Sequence, residues 1–597
     1  MTLSLLDWSV IAAYFLFNLG IGIYYARKAR GSTTDFFLSG RNVPWWLAGT
    51  SMVATTFAAD TPLAVTGFVA RNGIAGNWLW WNFVMSGMLT VFLYARLWRR
   101  AGVMTDIEFA ELRYSGKPAA FLRGFRALYL GLPINCIILG WVNLAMVKIL
   151  QITLGLDKKH AIMVVIGMLL FTAFYTAISG LWGVLVTDLF QFVLKMGMVI
   201  VLAILAVKAV GGIDALKMKI AAMDAASGQS GSRLDFFPEY DSLWMPAITL
   251  FVYLGVNWWA SWYPGAEPGG GGYVAQRIFS AKNERHGLLA TFWFNIAHYA
   301  LRPWPWILTA LASLVLYPNL VDKESGYIKT LLDPNVFPTY LRGFMLAAFA
   351  AAYMSTIGTQ LNWGASYVIN DFYRRFLKRS SSERHYVVAS QVVTVLLMIA
   401  SIIVTFYLES IGGAWKLLLV TGAGTGTVLL LRWFWWRINA WSEVSSMITA
   451  AVVSLFLQTY LKWDSDRPKD FAYLMLVTVG ITTIVWVVIT LLTPAEPMET
   501  LLAFYRQVRP EGPGWRRIAQ SAGLSSDHAE GRLSAQFANW ILGCLLIYGS
   551  LFGIGKIIFK EWVAGAIYLS VAIAAALLIS WNLSRVGWKS LADNNSD

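Results

Sequence analysis

Apolar runs of about 20 residues recur along this chain, and shorter polar segments separate them. A run of that length is what an α-helix needs to cross the hydrocarbon core of a bilayer, which is about 30 Å thick. We count about fifteen such runs by this length criterion, from residues 8–26 to a last run that ends near Asn582. A transmembrane barrel would instead give alternating segments of about ten residues. The pattern therefore predicts an all-α polytopic membrane protein with about 15 transmembrane helices.

Two of these predicted helices are interrupted. The run at residues 45–70 contains SMVATTFAADTP, in which hydroxyls, the carboxylate of Asp60 and a proline break the apolar pattern. The run at residues 243–263 continues into YPGAEPGGGGYVAQR, where two prolines and five glycines lie within the ten residues 264–273. Unwound backbone survives at membrane depth only where it faces protein or a water-lined cavity. We interpret both stretches as broken helices at a binding site; for the second stretch, a flexible loop is the alternative.

The two interruptions lie five helices apart, and this spacing predicts two inverted five-helix repeats whose binding sites lie where the broken helices meet. The prediction rests on the spacing alone, since the halves show no evident sequence identity. The chain then divides into an extra N-terminal helix with an inside loop (1–43), the first repeat (44–211), an external loop (212–241), the second repeat (242–437) and accessory C-terminal helices (438–597) with a cytoplasmic segment (493–536).

Composition agrees with a membrane environment. Hydrophobic residues make up 57% of the chain and charged residues only 13%, which leaves too little polar surface for a soluble fold of 597 residues. The net charge of +14 would suit a nucleic-acid partner, but the lysines and arginines collect in alternate loops, which the positive-inside rule makes cytoplasmic. We therefore predict a multi-pass protein of the cell (inner or plasma) membrane, with its N-terminus outside and its C-terminus in the cytoplasm. The lipid bilayer is its expected environment, with no nucleic-acid partner and no obligatory protein partner.

The predicted helix at residues 341–369 carries a polar face. Ala352, Ser355, Thr356 and Thr359 follow helical spacing within AAAYMSTIGTQLN. Unwound carbonyls and facing hydroxyls together supply the oxygens that a sodium ion needs. Alternatively, such hydroxyls bond carbonyls of their own helix or join neighbouring helices. Asp188 is a further candidate, because an isolated carboxylate at membrane depth indicates a function.

Four other polar residues in or near the apolar runs are weaker evidence of a functional site. Lys148, Lys195, His298 and Arg302 lie in or near these runs, and snorkelling toward the membrane interface is the simpler interpretation of each. The sequence contains no HExxH or CxxC spacing and no GxxxxGK[ST] motif, so it indicates neither a metal-hydrolase nor a nucleotide site. An enzyme is therefore not predicted, and any transport would draw on an ion gradient.

Four segments in order make a family recognisable: DFFLSGRNVPWWLAGTSMVA, YTAISGLWGVLVTDLFQF, YVAQRIFSAK and STIGTQLNWGASYVINDFY. The chain resembles the sodium:solute symporter family, and in particular its bacterial sodium/sugar-type cotransporters, over about residues 5–461. The resemblance implies a broken-helix, LeuT-like 5+5 inverted-repeat core with Na⁺ as the coupling ion. It is specific to the family and does not specify a substrate.

The resemblance also implies a sodium site. Its ligands would be the backbone carbonyls of Ala54, Phe57 and Ala352 and the hydroxyls of Ser355 and Thr356. Asp188 and Thr359 match positions that family members use for a second sodium ion or for the sodium exit path. Gly358 takes the place of another hydroxyl there, so this chain departs from the two-sodium pattern.

The substrate candidates lie on the two broken helices: Thr56 and Asp60 on the first, and Asn257, Trp258 and Ser261 on the second. Aromatic faces with a few oriented polar groups suit a small polar solute. Sugar carriers similar to this family have an acid and an amide at the positions of Asp60 and Thr61, and Thr61 departs from that pair. The GAEPGGGG insertion departs from their pattern as well.

These observations predict a secondary active transporter that couples sodium to the movement of a small polar organic solute by alternating access. A sugar or polyol is favoured, with an amino acid or a carboxylate as alternatives. Proton coupling through Asp60 or Asp188 stays open, although hydroxyl and carbonyl ligation favours sodium. A membrane sensor or receptor and a membrane-embedded enzyme are further alternatives. The chain has no long output domain and no recognisable nucleophile, metal or cofactor constellation.

Overall fold

α-Helices form nearly all the regular structure of the computed structural model, which describes residues 3–227, 231–240, 242–408, 423–523 and 527–586. The first helices are α1 (Leu5–Tyr25), α2 (Thr33–Leu38), α3 (Trp45–Thr56), α4 (Thr61–Asn72), α5 (Trp78–Trp81), α6 (Val84–Leu89), α7 (Ala95–Ala101), α8 (Phe109–Arg113), α9 (Gly116–Tyr129), α10 (Asn135–Leu154), α11 (Lys158–Val210) and α12 (Ile213–Ser227). The middle of the chain forms α13 (Ala247–Val252), α14 (Trp258–Ala260), α15 (Gly272–Ser280), α16 (Glu284–Asn295), α17 (Pro303–Leu316), α18 (Gly326–Leu332), α19 (Arg342–Ser366) and α20 (Glu383–Tyr407). The last helices are α21 (Gly426–Leu431), α22 (Ala440–Thr459), α23 (Pro468–Leu492), α24 (Met498–Val508), α25 (Arg516–Ser521), α26 (Asp527–Ile558) and α27 (Trp562–Val586).

Ten helical stretches among the described residues are long and apolar enough to cross a membrane, and the bent pair of α3 and α4 brings the number to eleven. The all-α, polytopic class is thereby confirmed. α11 has 53 residues, about 80 Å at 1.5 Å per residue, which is far more than one crossing needs. It is interrupted at Gly180 (φ 56°, ψ −153°), between two predicted spans. The count of about 15 helices and the inverted repeat stay predictions, and residues 417–422 of one predicted helix lie outside the described residues.

The first broken helix bends between α3 and α4. α3 ends at Thr56, the backbone of Phe57 leaves the helical conformation (φ −93°, ψ 68°), and α4 begins at Thr61 at an angle of 59° to α3. Pro62 lies in the first turn of α4, where its missing N–H leaves no helical hydrogen bond unmade. The predicted interruption is confirmed. It leaves carbonyls at the end of α3 available to partners outside their own helix.

The second interruption follows the helical stretch Ala247–Ala260. Ser261 is extended (φ −94°, ψ 140°), and the helix resumes only at α15. Gly269 and Gly270 adopt left-handed backbone conformations (φ 75° and 82°), and a Cβ on Gly270 would lie 2.8 Å from the Cγ2 of Thr90. Both glycines are buried. The segment is therefore unwound backbone packed inside the protein and not a flexible surface loop.

α11 brings the helices around the first break together. It packs against α1, α3, α17 and α19, and α3 packs in addition against α16 and α19. The contact between α3 and α16 is close at Gly49, where a Cβ would lie 2.5 Å from the carbonyl oxygen of Ala290. Small residues permit such close packing between membrane helices. As a result, the end of α3 lies next to polar residues of both α11 and α19.

A short parallel bridge connects the start of one broken helix with the end of the other. The N–H of Val43, just before α3, donates to the carbonyl of Ser280 (3.0 Å), and the N–H of Lys282 donates to the carbonyl of Val43 (3.1 Å). α3 and α15 also pack against each other.

The predicted cytoplasmic segment at residues 493–536 packs against the helical core. Phe504 of α24 and Trp515, just before α25, are buried. The indole N–H of Trp515 donates to the carbonyl of Trp433 (2.8 Å), and the guanidinium of Arg113 lies 4.8 Å from the centroid of the Trp515 ring. This segment therefore shares the core of the protein.

Candidate functional site

A cavity of about 150 Å³ lies where the two interruptions meet. Its wall includes the end of α3, the start of α4, the unwound residues after α14 and the π-helical segment Ile296–Leu301 that precedes α17. The polar and aromatic residues of the wall include Thr55, Thr56, Asp60, Trp80, Phe83, Tyr263, Tyr273, His298, Arg302, Thr356 and Gln360. Both broken helices thus contribute to one cavity.

Arg302 and His298 form one wall of this cavity. The Nη1 of Arg302 donates to the Thr56 hydroxyl (3.0 Å), and the Nδ1 of His298 lies 2.9 Å from the same hydroxyl oxygen. The guanidinium lies 5.8 Å from the ring centroid of Phe57 and 5.0 Å from that of Trp306, and cation–π attraction offsets part of its desolvation. The prediction that Arg302 snorkels is wrong, because its side chain is only 1% exposed and faces the α3 break.

Asp60 places a carboxylate on the same cavity. Its side chain is buried, and no hydrogen-bond partner reaches its Oδ1 within the described residues. The Nε of Arg302 is likewise buried without a hydrogen-bond partner in that part of the chain. A buried polar atom without a partner costs roughly 1–3 kcal/mol. Both residues line the cavity.

The carbonyls at the end of α3 hold a lysine. The Nζ of Lys195 donates to the carbonyls of Ala54 (2.6 Å) and Phe57 (3.1 Å) and lies 4.9 Å from the centroid of the Phe57 ring. The prediction that Lys195 snorkels is wrong, because α11 directs this residue toward α3 and leaves it 1% exposed. Lys148, by contrast, is partly exposed and pairs with Asp322 (3.1 Å). Two of the carbonyls predicted to bind sodium therefore face an ammonium group.

Asp188 of α11 joins α3, α15 and α19. Its Oδ2 accepts a hydrogen bond from the hydroxyl of Ser51 (2.5 Å), and its Oδ1 accepts one from the hydroxyl of Ser355 (2.6 Å). The Nη2 of Arg277 lies 3.9 Å from the same Oδ2. All four side chains are buried. One carboxylate therefore links both broken helices to the helix that carries the predicted hydroxyl ligands.

Two threonines of α19 connect it to α3. The Thr356 hydroxyl donates to the carbonyl of Thr55 (2.8 Å) and to that of Ala352 in its own helix (3.3 Å). The Thr359 hydroxyl lies 2.9 Å from that of Thr55 and accepts from Arg277 (2.7 Å). The helix joining that the sequence left as an alternative is therefore present.

The predicted sodium ligands lie around one junction of α3, α11 and α19. The residues concerned are Ala54, Phe57, Ala352, Ser355 and Thr356, with Asp188 and Thr359 beside them. Sodium binding by this set stays a prediction.

The predicted substrate residues divide between two places. Thr56 and Asp60 line the cavity. The hydroxyl of Ser261 donates to Asn257 (3.0 Å), the amide of Asn257 donates to Asn82 (3.1 Å), and the indole of Trp258 donates to the carbonyl of Leu254 in its own helix (2.9 Å). These three second-helix residues are outside the cavity wall, and a role for them in substrate binding stays a prediction.

Sequence reasoning missed cavity residues on other helices. Trp80, His298, Arg302 and Gln360 line the wall but lie outside the interrupted stretches. For Arg302 a signal was available, because an arginine within an apolar run indicates a function. For Trp80, in a chain with 29 tryptophans, composition gave no comparable signal.

Curated proteins similar to this chain include cotransporters from bacteria and mammals. A sodium/glucose cotransporter from Vibrio parahaemolyticus is 26% identical, over 76% of this chain and 86% of that protein. Sodium/myo-inositol cotransporter 2 from Mus musculus is 24% identical, over 84% of this chain and 80% of that protein.

A solved structure supports the fold, and a family profile supports the family. The substrate-bound outward-open state of a Na⁺-coupled sialic acid symporter matches with a TM-score of 0.67 and 21% identity, over 83% of this chain and 99% of that one. At that identity the match concerns the fold. The profile described as the sodium:solute symporter family matches residues 36–450. The chain therefore belongs to the sodium:solute symporter family and is a multi-pass membrane transporter with sodium as its coupling ion.

Proposed function

We propose that this chain is a symporter that carries a small polar solute, a sugar or polyol, together with sodium by alternating access. The observation behind the proposal is that the α3 break faces two places, the junction with α11 and the cavity. The carbonyls of the break at Ala54 and Phe57 accept hydrogen bonds from Lys195 of α11, on the side where we propose that sodium binds, and its residue Thr56 lines the cavity. Glucose and myo-inositol are the solutes in the names of two relatives, and we extend that chemical class to this chain.

Coupling follows from this shared segment. Sodium bound between the α3 carbonyls and the hydroxyls of Ser355 and Thr356 would join α3 to α19 and fix Thr56 at the cavity. A segment already ordered by one ligand binds the other at a smaller entropic cost, and the coupling acts equally in both directions. Sodium that enters an inside-negative cell gains roughly 2.3 kcal/mol per 100 mV. That free energy is available to concentrate the solute.

Asp60 and Arg302 suit a polyhydroxylated solute, because each hydroxyl both donates and accepts a hydrogen bond. One hydroxyl would donate to the carboxylate of Asp60, and another would accept from the guanidinium of Arg302, since both residues line the cavity. A solute with a carboxylate is the second candidate class. The observation that favours it is the buried guanidinium, since arginine is a preferred partner of carboxylates.

The test is uptake by the purified full chain in liposomes under an inward sodium gradient. Neutral sugars, polyols, amino acids and sugar acids form the solute panel, and potassium replaces sodium in the control. We expect saturable uptake of one class that requires sodium. Uptake driven by a proton gradient without sodium would overturn sodium coupling. Specific solute binding without uptake would favour a receptor.

Ser355→Ala removes one proposed sodium ligand, and Thr356→Ala removes another. We expect each to raise the sodium concentration for half-maximal uptake at least about tenfold, because a hydrogen-bonding group lost from a charged partner costs roughly 1.5–3 kcal/mol. Ser366→Ala is the matched control, since this buried serine of α19 donates to the carbonyl of Trp363 in its own turn (2.6 Å). An unchanged sodium dependence in both ligand variants would contradict the site.

A further inference from the structure

Lys195 is a buried cation at membrane depth that the coupling scheme leaves without a role. Within the described residues its ammonium donates to two backbone carbonyls, of Ala54 and Phe57, and to no carboxylate. Lys195 follows Asp188 by seven residues, which is two helical turns, so both lie on the face of α11 that meets α3. The position is therefore part of the ion site and not of the membrane interface.

We propose that the Lys195 ammonium is a tethered cation that occupies the sodium position at the α3 break and that sodium has to displace it in order to bind. The inference rests on the proposed function, because it names a competitor at the same carbonyls. The Nζ lies 2.6 Å from the oxygen of Ala54 and 3.1 Å from that of Phe57. A sodium ion bound to these oxygens would lie against the ammonium, and two like charges in contact repel strongly inside a protein.

The neighbouring charges also favour replacement of the ammonium by sodium over binding of both cations together. Asp188 is the carboxylate of this junction, and Arg277 already lies beside it (3.9 Å). Lys195 is buried beside them, and with their ordinary charges the three side chains would carry two positive charges and one negative charge. Sodium added to this set would increase the positive excess, whereas sodium that replaces the ammonium leaves the charge at the carbonyls unchanged. A lysine side chain can withdraw, because its ammonium is compact and its four-carbon stem is flexible.

Binding of ²²Na⁺ to the purified full chain tests the proposal without knowledge of the solute. Lys195→Met removes the charge and keeps the length and apolar stem of the side chain. We expect it to bind sodium at least tenfold more tightly than the natural chain, with a larger sodium-dependent rise in thermal stability. Lys208→Met is the matched control on the same helix, since Lys208 is exposed, and we expect it to leave sodium affinity unchanged.

Further variants test whether the gain in sodium affinity arises at the proposed sodium site and from loss of the charge. In Lys195→Met combined with Ser355→Ala, we expect the gain in sodium affinity to be lost, because the tighter site uses the Ser355 hydroxyl. Lys195→Arg keeps a cation at the carbonyls and should bind sodium no more tightly than the natural chain. If Lys195→Met does not fold, Lys195→Gln gives the same comparison with a polar, uncharged side chain.

The outcomes separate failure of this proposal from failure of the proposed function. If the natural chain binds sodium and the uncharged variants bind it equally or more weakly, Lys195 is not a competitor and the proposal is wrong. If neither the natural chain nor the uncharged variants bind sodium, the sodium site itself is wrong. If sodium binding appears only once the charge of Lys195 is removed, the ammonium does occupy the sodium position, but sodium does not displace it and sodium coupling of the natural chain is wrong.

Discussion

Arg302 and Asp60 give the cavity one side chain of each charge. Each keeps a buried polar atom without a hydrogen-bond partner among the described residues, and an unused atom of this kind favours a ligand that can bond it. Arg302 is in addition hydrogen-bonded to Thr56, so it contacts the same segment whose carbonyls are the proposed sodium ligands. We therefore expect substitution of Asp60 and substitution of Arg302 to have different effects on transport.

Asp60→Asn should weaken solute binding and leave sodium binding unchanged. We expect the KM for the solute to rise at least about tenfold, since a hydrogen bond to a charged group is worth roughly 1.5–3 kcal/mol, while ²²Na⁺ binding in the absence of solute stays unchanged. Uptake kinetics and sodium binding on the same preparation provide the measurement. A loss of sodium binding would show that Asp60 belongs to the ion site.

Arg302→Gln should distinguish the two solute classes. A neutral sugar or polyol loses one hydrogen bond, and we expect its KM to rise about tenfold. A carboxylated solute loses an ion pair as well, and its KM should rise well over a hundredfold. Thermal unfolding without solute is the control, because Arg302 also bonds Thr56 (3.0 Å). Equal effects on both solute classes would mean that Arg302 acts on the fold and not on the solute.

Sequence reasoning found the polar positions of the site more readily than their partners. Ser355, Thr356 and Asp188 stand out because hydroxyl and carboxyl groups interrupt apolar runs. Lys195 interrupts a run as well, but hydropathy carries no information on which face of α11 meets α3. Its spacing of seven residues from Asp188 was the signal that could have placed it at the site, because two helical turns return to the same face.

The two broken helices are the elements that position the site, and their sequences explain why they unwind. Glycine, proline and hydroxyl-rich stretches predicted both interruptions. Sequence favoured an unwound segment at the second break and left a flexible loop as the alternative, since the same composition is typical of a surface loop. That difference depends on tertiary contacts, such as those of Gly270 with Thr90 and Trp98.

Gly270→Ala tests the packing of the second break. The backbone there has a φ of 82°, and the new Cβ would lie 2.8 Å from the Cγ2 of Thr90, so we expect a loss of roughly 1–3 kcal/mol of stability. Gly197→Ala is the control, because Gly197 lies on an exposed face of α11 and a Cβ there would meet nothing within 4 Å. Thermal unfolding of both variants compares them. If the two variants were equally stable, the glycine segment would accommodate the added Cβ by a small backbone shift.

Across the whole molecule, buried charges tie the accessory helices to the core. Glu443 of α22 accepts hydrogen bonds from Tyr114 (2.7 Å), Arg126 (2.9 Å) and Arg432 (3.1 Å), and the carboxylate is buried. The pattern of apolar runs predicted accessory C-terminal helices. It did not predict this connection, since Tyr114 and Arg126 each lie more than three hundred residues from Glu443. Long-range pairing of this kind is invisible to local patterns.

Glu443→Gln should therefore destabilise the entire chain. Two arginines would keep their buried charges without the carboxylate, and breaking a buried ion pair in this way costs about 3–5 kcal/mol. Asp464→Asn breaks the exposed contact with Arg467 (3.9 Å) and should cost less than about 1 kcal/mol. Thermal unfolding in detergent checks both values. A small effect of Glu443→Gln would mean that water reaches the arginines.

The backbone bridge at Val43 has a mechanical consequence. Because Val43 pairs with Ser280 and Lys282, the start of α3 and the end of α15 are joined by two backbone hydrogen bonds. Ser51 of α3 and Arg277 of α15 are also hydrogen-bonded to each other (3.2 Å), whereas Asp188 lies on α11. Any displacement of this joined pair relative to α11 would therefore stretch the contacts to Asp188 before those between Ser51 and Arg277.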